Sequence, residues 1–230
     1  MAIRYYFFAV CIGLTQSLFA EDLSNTGTTP PSADLQAVLN AGQDLLLEPG
    51  AIYEIEQALV FKFEGQSIST HAPKSLADYA ILRITNRDLG QLINGNQVSG
   101  VRIENLLLDG NRYRLSDLSK AISTNALVFF GGAGAERQVV RGCIFTGPRT
   151  WSTLKVHEGG SDILVENNIF FGAGTDVRGN GREGVENPHL DGRSWGDGIT
   201  CAAQRTTVRN NLIIDPTDVG MVFFGAPGSI

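Results

Sequence analysis

The fold is decided by the segment ILVENNIFFG, residues 163–172. In this segment short apolar runs flank a pair of asparagines, and a glycine follows. Three further segments have the same apolar runs on either side of two positions that hold Asn, Gly, Cys or Leu; they are VRIENLLLDG (101–110), VVRGCIFTG (139–147) and TVRNNLIID (207–215). Short strands bounded by Gly, Asn or Asp are typical of a chain that turns several corners in each coil. The four segments therefore predict an internal repeat.

The spacing of the segments indicates a solenoid. The central residues align with steps of 37, 25 and 43 residues; they are Asn105, Gly142, Asn167 and Asn210. The step of 25 falls within the roughly 20–45 residues of known solenoid repeats, and the longer steps leave room for inserted loops. One position further on, a second column contains Cys143, Asn168 and Asn211. We expect the stacked asparagines to hydrogen-bond to the backbone and to one another.

A second strand precedes each of the three later segments, and another follows the last one. The strands are NALVFF (125–130), STLKVH (152–157), DGITCA (197–202) and DVGMVFF (218–224). We expect them to stack into a second parallel sheet. The Gly-rich, charged insertion 173–196 comes just before the third of these strands, and loops longer than about 12–15 residues are often functional. The insertion is therefore predicted to overhang the outer face of this sheet.

Residues 33–61 read as a helix followed by two strands. Asp34 can cap a short helix with an apolar face, and Gly42 can end it. LLLEPG and IYEIEQALVF then predict strands on either side of a Pro-Gly turn. This opening resembles that of the right-handed parallel β-helix proteins of the pectate-lyase superfamily, in which such a helix covers the end of the coil. The resemblance implies an all-β fold, a right-handed parallel β-helix with a short N-terminal capping helix, and a polysaccharide groove along the second sheet.

The sequence also predicts where the protein works and how it is divided. Residues 1–20 combine Arg4, an apolar run and the small-residue ending SLFA, which is typical of a secretory signal peptide. We expect 21–33 to be a linker. Residues 34–230 then form one β-helix domain, with 34–63 as the N-terminal cap and first strands, and with the C-terminal end truncated or uncapped. A secreted or periplasmic location follows from this interpretation.

Composition limits the partners. The 230 residues are 43% hydrophobic and 18% charged, which suits a globular or solenoidal protein. The net charge of −6 argues against nucleic acid and anionic membrane surfaces as partners. We expect a polysaccharide or oligosaccharide ligand, no membrane contact after signal cleavage, and a monomer. Cys143 and Cys201 are interpreted as buried thiols, with a disulfide as the alternative.

Three aspartates suggest one chemistry. Asp197 in GDGI, and Asp215 and Asp218 in DPTD, resemble the aspartates of polygalacturonase-type glycoside hydrolases. The resemblance implies a catalytic pair of Asp197 and Asp218, assisted by Asp215. Asp197 and Asp218 are 21 residues apart, about one coil, and glycoside hydrolysis needs one carboxyl group as acid and another as base or nucleophile. The structural alternative is that these aspartates hold turns.

A second chemistry is that of the polysaccharide lyases with this fold, which abstract a proton with Lys or Arg and neutralise a carboxylate with calcium. Lys155 and His157 alternate with Val156 and should point outward, while Arg193 and Trp195 lie in the insertion beside the same sheet. We assign Lys155, His157, Arg193 and Trp195 to substrate binding, with Trp195 stacking on sugar. In the lyase alternative, Lys155 and Arg193 act together with calcium.

Acidic residues of the insertion could supply oxygen ligands for calcium, the one cofactor considered; they are Asp176, Glu183, Glu186 and Asp191. A third reading has no catalysis: a carbohydrate-binding or surface-structural β-helix module. The sequence alone leaves hydrolase, lyase and binding module open.

Overall fold

The computed structural model describes residues 32–115, 123–173 and 196–230. The predicted signal peptide, almost all of the linker and nearly all of the insertion 173–196 lie outside these residues. In the described part of the chain, no helix is long and apolar enough to cross a membrane.

Three parallel sheets form the body of the protein, with strands numbered here in chain order. Sheet A contains β1 (Leu45–Leu47), β4 (Ser67–Thr70), β7 (Arg102–Glu104), β10 (Val139–Arg141), β13 (Leu164–Glu166) and β16 (Thr207–Arg209). Sheet B contains β2 (Ile52–Ile55), β5 (Ala80–Ile84), β8 (Leu106–Asp109), β11 (Ile144–Thr146), β14 (Ile169–Phe171) and β17 (Leu212–Ile214). Sheet C contains β3 (Leu59–Val60), β6 (Ile93–Asn94), β9 (Ser123–Gly131), β12 (Thr150–His157), β15 (Asp197–Cys201) and β18 (Met221–Phe223).

Each coil gives one strand to sheet A, one to sheet B and one to sheet C before the chain returns to sheet A one level further on. Such crossovers between parallel strands are right-handed. The predicted right-handed parallel β-helix is thus confirmed. One detail is corrected: the single strand expected over 52–61 is two strands, because the chain bends at Glu56 and Gln57 between sheets B and C.

A helix covers the N-terminal coil. Helix α1 (Ser32–Asn40) packs on β1, β2 and β3, and it buries Leu35 and Leu39 as expected. It begins two residues before Asp34, which lies in its first turn rather than at its cap. Gly42, at φ 76°, ends it, with Gln43 N–H donating to the Val38 carbonyl. The described chain has two other short helical pieces, a 3-10 turn at Leu76–Asp78 and helix α2 (Arg112–Leu115).

The corner between sheets A and B repeats in every predicted segment. One residue with left-handed backbone joins the two strands there; these residues are Asn105, Gly142, Asn167 and Asn210, with φ of 57°, 62°, 57° and 54°. Glycine and asparagine tolerate this region better than other residues. The strand register pairs Glu104 with Arg141, Arg141 with Glu166 and Glu166 with Arg209, so the four corner residues stack as the sequence alignment predicted.

A ladder of side chains follows directly after these corners. The Asn168 side-chain oxygen accepts the Cys143 N–H at 2.9 Å, and its Nδ2 donates to the Val140 carbonyl at 3.0 Å. Asn211 repeats this one coil on, since its oxygen accepts the Asn168 N–H at 3.0 Å and its Nδ2 donates to the Val165 carbonyl at 2.9 Å. The predicted asparagine column is confirmed.

Both cysteines in the described chain are free and buried, Cys143 at 1% and Cys201 at 0% exposure. Removal from solvent raises the pKa of the Cys143 thiol to about 12 and also raises the pKa of Cys201. The interpretation as buried thiols is confirmed, and a disulfide between them is not formed.

An alternating charge ladder crosses the outer face of sheet A. Arg141 lies between Glu104 and Glu166, with N–O distances of 3.0 and 2.7 Å, and Arg209 binds Glu166 from the next coil at 2.7 Å. The hydrogen bonds from Arg209 and Arg141 hold the pKa of the Glu166 carboxyl below its usual value of 4.5. The Glu166 side chain is 8% exposed, so this carboxylate has little access to water.

Acid should weaken this ladder. A carboxyl whose pKa is lowered by folding stabilises the folded state above its unfolded pKa of 4.5 and loses that contribution as pH falls through the lower folded value. We therefore expect the midpoint of thermal unfolding to fall with pH below 4.5, and to fall less in Glu166→Gln. Thermal melts followed by circular dichroism across this range measure it, with the exposed Glu64→Gln as control. Equal acid sensitivity in all three proteins would contradict the prediction.

Candidate functional site on the outer face of sheet C

Strand β12 presents two basic side chains on the outer face of sheet C. Leu154 and Val156 point into the coil and are fully buried, whereas Lys155 and His157 between and after them are half-exposed. The alternation follows from the pleat of a strand, in which successive side chains point to opposite faces. The predicted outward direction of Lys155 and His157 is confirmed.

The ring of Phe129 connects the two basic groups. Phe129 pairs with Lys155 in the register between β9 and β12. The Lys155 Nζ lies 5.9 Å from the centre of the Phe129 ring, and the His157 ring lies 5.4 Å from it at an angle of 60°. Ammonium groups are attracted to aromatic faces at such distances. Phe129 therefore forms one cluster with Lys155 and His157.

A glycine makes the close approach of these strands possible. Gly131 pairs with His157 and has φ of 83°. A Cβ at this position would lie 2.4 Å from the His157 carbonyl oxygen and 2.5 Å from its nitrogen. The absence of a side chain here lets β9 and β12 meet at the end of the sheet, beside the cluster.

The first predicted aspartate lies on the same sheet, in a chain of hydroxyl contacts. Asp197 opens β15, pairs with Ser152 and is half-exposed. Its Oδ2 accepts a hydrogen bond from the Thr200 hydroxyl at 2.7 Å, and that hydroxyl lies 2.7 Å from the Ser152 hydroxyl. Thr200 itself pairs with Lys155. Asp197 is therefore on the strand next to Lys155, with its carboxylate held by Thr200.

The expected stacking of Asp197 and Asp218 is wrong by one residue. The register pairs Ile199 with Met221, an offset of 22, while the two aspartates are 21 apart. Asp218 precedes β18, is exposed, and donates its backbone N–H to the Gly196 carbonyl. The register therefore places Val219, not Asp218, level with Asp197.

Asp215 occupies a corner between sheets B and C. It is exposed, follows β17 and has φ of 56°. The preceding coils have Gly147 and Gly172 at the equivalent corner, with φ of 55° and 67°. Aspartate is among the few residues that tolerate this backbone conformation. This geometry matches the turn-holding role that the sequence left open.

The structure does not describe the remaining predicted site residues. Arg193 and Trp195 lie outside the described residues, as do the acidic residues considered for calcium. Within the three described stretches, no group of three or more His, Cys, Asp or Glu side chains is arranged to hold a metal ion.

A buried arginine holds the loop before β6, the strand next to β9 in sheet C. Arg149, 1% exposed, donates to the carbonyls of Asn86, Arg87 and Leu89 at 2.7–3.2 Å. Desolvation lowers the pKa of this guanidinium. On the far side of β6, the buried Gln138 donates to the carbonyls of Gly95 and Val98. The short strand β6 is thus anchored at both ends.

Phe129 was missed by the sequence reasoning, although a signal was present. In NALVFF, Val128 and Phe130 are inward, and the alternation therefore places Phe129 on the outer face. The pairing of Lys155 with Phe129, 26 residues earlier, could not be predicted, because it depends on the register of two strands that are separated by corners of unequal length.

Comparison with known proteins shows the fold and little more. No family model matches the chain, and no curated protein matches it. The structure is similar to the crystal structure of an alginate lyase from Paenibacillus sp. str. FPU-7, with a TM-score of 0.55 and 14% sequence identity. The match covers 86% of this chain and 62% of that chain, so the present chain corresponds to less than two thirds of the alginate lyase. The likeness supports the parallel β-helix; membership of the pectate-lyase superfamily stays a prediction.

Proposed function

We propose that the protein binds an acidic polysaccharide across the outer face of sheet C and cleaves it by β-elimination at Lys155 and His157. The observation that carries the proposal is the cluster on one face of the sheet, in which an ammonium group and an imidazole flank the Phe129 ring. The likeness to a solved alginate lyase makes alginate, a polyuronate, the first substrate to test.

The cluster has the two groups that this reaction needs. Elimination begins when a base removes the proton from the carbon next to the uronate carboxylate. The electrons of the broken C–H bond form a carbon–carbon double bond, the bond to the glycosidic oxygen breaks, and that oxygen takes up a proton from water, while the base later returns its own proton to the solvent. Imidazole is a suitable base near neutral pH, and an ammonium group beside the carboxylate stabilises the negative charge that develops there.

The positions of the two side chains suit these roles. Lys155 and His157 are two residues apart on one strand, which places their Cα atoms about 6.6 Å apart on the same face. That span allows Lys155 to hold the carboxylate while His157 reaches the neighbouring C–H bond of the same sugar. The Phe129 ring offers an apolar surface between them, of the kind that packs against the C–H face of a sugar.

Lys155→Gln tests the proposal directly. The wild-type protein, incubated with alginate, should release unsaturated products that absorb in the ultraviolet, and Lys155→Gln should lose this activity by roughly a hundredfold or more. Lys62→Gln removes an exposed lysine elsewhere and should retain full activity. Circular dichroism confirms that each variant is folded. The proposal is wrong if the wild-type protein forms no unsaturated product from any polyuronate, or if Lys155→Gln is fully active.

The same assay separates the other readings. New reducing ends without unsaturated products would favour hydrolysis by Asp197, the aspartate that lies on the strand next to Lys155. Binding of the polymer with neither product would favour a non-catalytic module. The calcium dependence of any activity is measured by adding a chelator and then restoring the ion.

We also propose that the protein is exported, since its proposed substrate is an extracellular polymer and residues 1–20 have the pattern of a signal peptide. Expression of the full chain in a bacterial host, followed by mass determination of the extracytoplasmic product, tests this. The expected N-terminus is Glu21, and an uncleaved intracellular product would contradict the proposal.

A further inference from the structure

Three amide side chains line the outer face of sheet C next to the Lys155 cluster. Asn94 pairs with Phe129 in the register between β6 and β9, and Gln91 and Asn96 lie three residues before and two residues after it. All three side chains are half-exposed. The amide patch, defined as Gln91, Asn94 and Asn96, is therefore one strand away from Phe129 and two strands, about 9.6 Å, away from Lys155.

Asn94 is held in place within the patch. Its Nδ2 donates to the Gln91 Oε1 at 3.1 Å, and its Oδ1 accepts the Asn96 backbone N–H at 2.9 Å. The loops on both sides of β6 are fixed by Arg149 and by Gln138. The backbone of the patch is thus held in place in the absence of any ligand, which reduces the entropy lost when a ligand binds.

Two polar atoms of the patch have hydrogen-bonding capacity to spare. The Gln91 Nε2 and the Asn96 Oδ1 are shielded from solvent, and neither finds a hydrogen-bond partner in the described part of the chain. Buried polar groups are nearly always hydrogen-bonded, and those that are not require an explanation. One atom is a spare donor and the other a spare acceptor. A turn about the terminal amide torsion, which is broad, brings either atom toward the surface; in Gln91 this turn exchanges the bond from Asn94 Nδ2 for one with the ligand.

The patch also touches the end of the strand that carries His157. A Cβ at Gly132 would lie 2.0 Å from the Asn96 Oδ1, and the Gly132 N–H donates to the His157 carbonyl. The absence of a side chain at Gly132 therefore allows Asn96 to lie close to the backbone that is hydrogen-bonded to His157. The amide patch and the Lys155 cluster form one continuous surface.

We propose that Gln91, Asn94 and Asn96 form a subsite for the neutral hydroxyl groups of the sugar two units along the chain from the one held by Lys155. A sugar hydroxyl both donates and accepts, so a pair of hydroxyls matches one spare donor and one spare acceptor. The patch has no charged side chain, which suits the hydroxyl face of a sugar and not its carboxylate. The separation of two strands, about 9.6 Å, is comparable to the length of two sugar units in a chain.

This inference rests on the proposed function for its ligand and makes a separate prediction about length. An oligosaccharide that spans both regions should bind more tightly than a shorter one, and the gain should depend on the patch. Asn96→Ala removes the spare acceptor, and Gln91→Glu replaces the spare donor while keeping the oxygen that Asn94 binds. Neither change removes a hydrogen bond seen among the described residues. Both variants should therefore keep the thermal stability of the wild-type protein, whereas a merely structural role would lower it.

Calorimetric titration with an alginate disaccharide and an alginate tetrasaccharide tests the subsite. The wild-type protein should bind the tetrasaccharide more tightly, and Asn96→Ala and Gln91→Glu should each weaken that binding about tenfold. Disaccharide binding should stay unchanged. Gln43→Ala, an exposed amide on the capping helix side of the molecule, is the matched control and should bind both sugars as the wild type does.

The outcomes separate the subsite from the reaction. If the tetrasaccharide binds equally well to the wild-type protein and to both patch variants, the subsite is wrong and the lyase proposal stands. If a neutral tetrasaccharide binds and the patch variants weaken it, while alginate oligosaccharides do not bind, the subsite stands and the lyase proposal is wrong. Absence of binding to either class of sugar overturns both.

Discussion

His157→Asn should lower the kcat for alginate cleavage by roughly 10²–10⁴-fold, the usual contribution of a general base. Asparagine keeps a polar group of similar size against Phe129 but cannot take up the proton. Substrate affinity should change little, because Lys155 still holds the carboxylate. The expected signature is a large fall in kcat with a nearly constant KM.

His71→Asn changes an exposed histidine away from sheet C and is the matched control. A His157→Asn enzyme with wild-type kcat would exclude the histidine as base and leave Lys155 or the Arg193 region for that role.

Asn168→Ala should lower the free energy of unfolding by about 3 kcal/mol. The side chain is 1% exposed and makes hydrogen bonds to Cys143 N–H, the Val140 carbonyl and the Asn211 side chain. Alanine leaves the Cys143 N–H and the Val140 carbonyl without this partner inside the coil, and unpaired buried groups keep their full desolvation cost. The Asn211 oxygen keeps the hydrogen bond from the Asn168 backbone N–H. Urea unfolding followed by circular dichroism measures the change.

The neighbouring residue provides the control for this experiment. Asn167 is exposed, has left-handed backbone and aligns with Gly142 one coil earlier. Asn167→Gly should therefore change the free energy of unfolding by less than about 1 kcal/mol, since glycine fits the same backbone. Equal losses in Asn168→Ala and Asn167→Gly would show that the corner, not the hydrogen-bonded ladder, stabilises the coils.

The fold could be predicted because every coil has the same structural requirements, and these recur along the sequence. Asn105, Asn167 and Asn210 mark corners that need left-handed backbone, and the apolar residues beside them must face a shared interior. Each repeat therefore gives the same local signal, and four copies are enough to specify stacking. The directions of Lys155 and His157 followed from alternation along one strand, which needs no knowledge of the neighbours.

The site was harder to predict because it depends on register between strands. Asp197 and Asp218 are separated by 21 residues, but the coil between them advances by 22, and the difference moves Asp218 out of the row. Corners and loops of unequal length hide such shifts from a sequence. The link from Lys155 to Phe129, and the amide patch beyond it, depend on pairings of the same kind.

The stacked asparagines also indicate the order in which the coils unfold. Each side chain of the ladder binds only the coil before or after it, so these hydrogen bonds stabilise each coil through its immediate neighbours. Amide hydrogens should then exchange with solvent fastest in the terminal coils and slowest near Cys143 and Asn168. Opening from an end would reach sheet C near Lys155 only after the outer coils had separated, which leaves the proposed site in the most persistent part of the molecule.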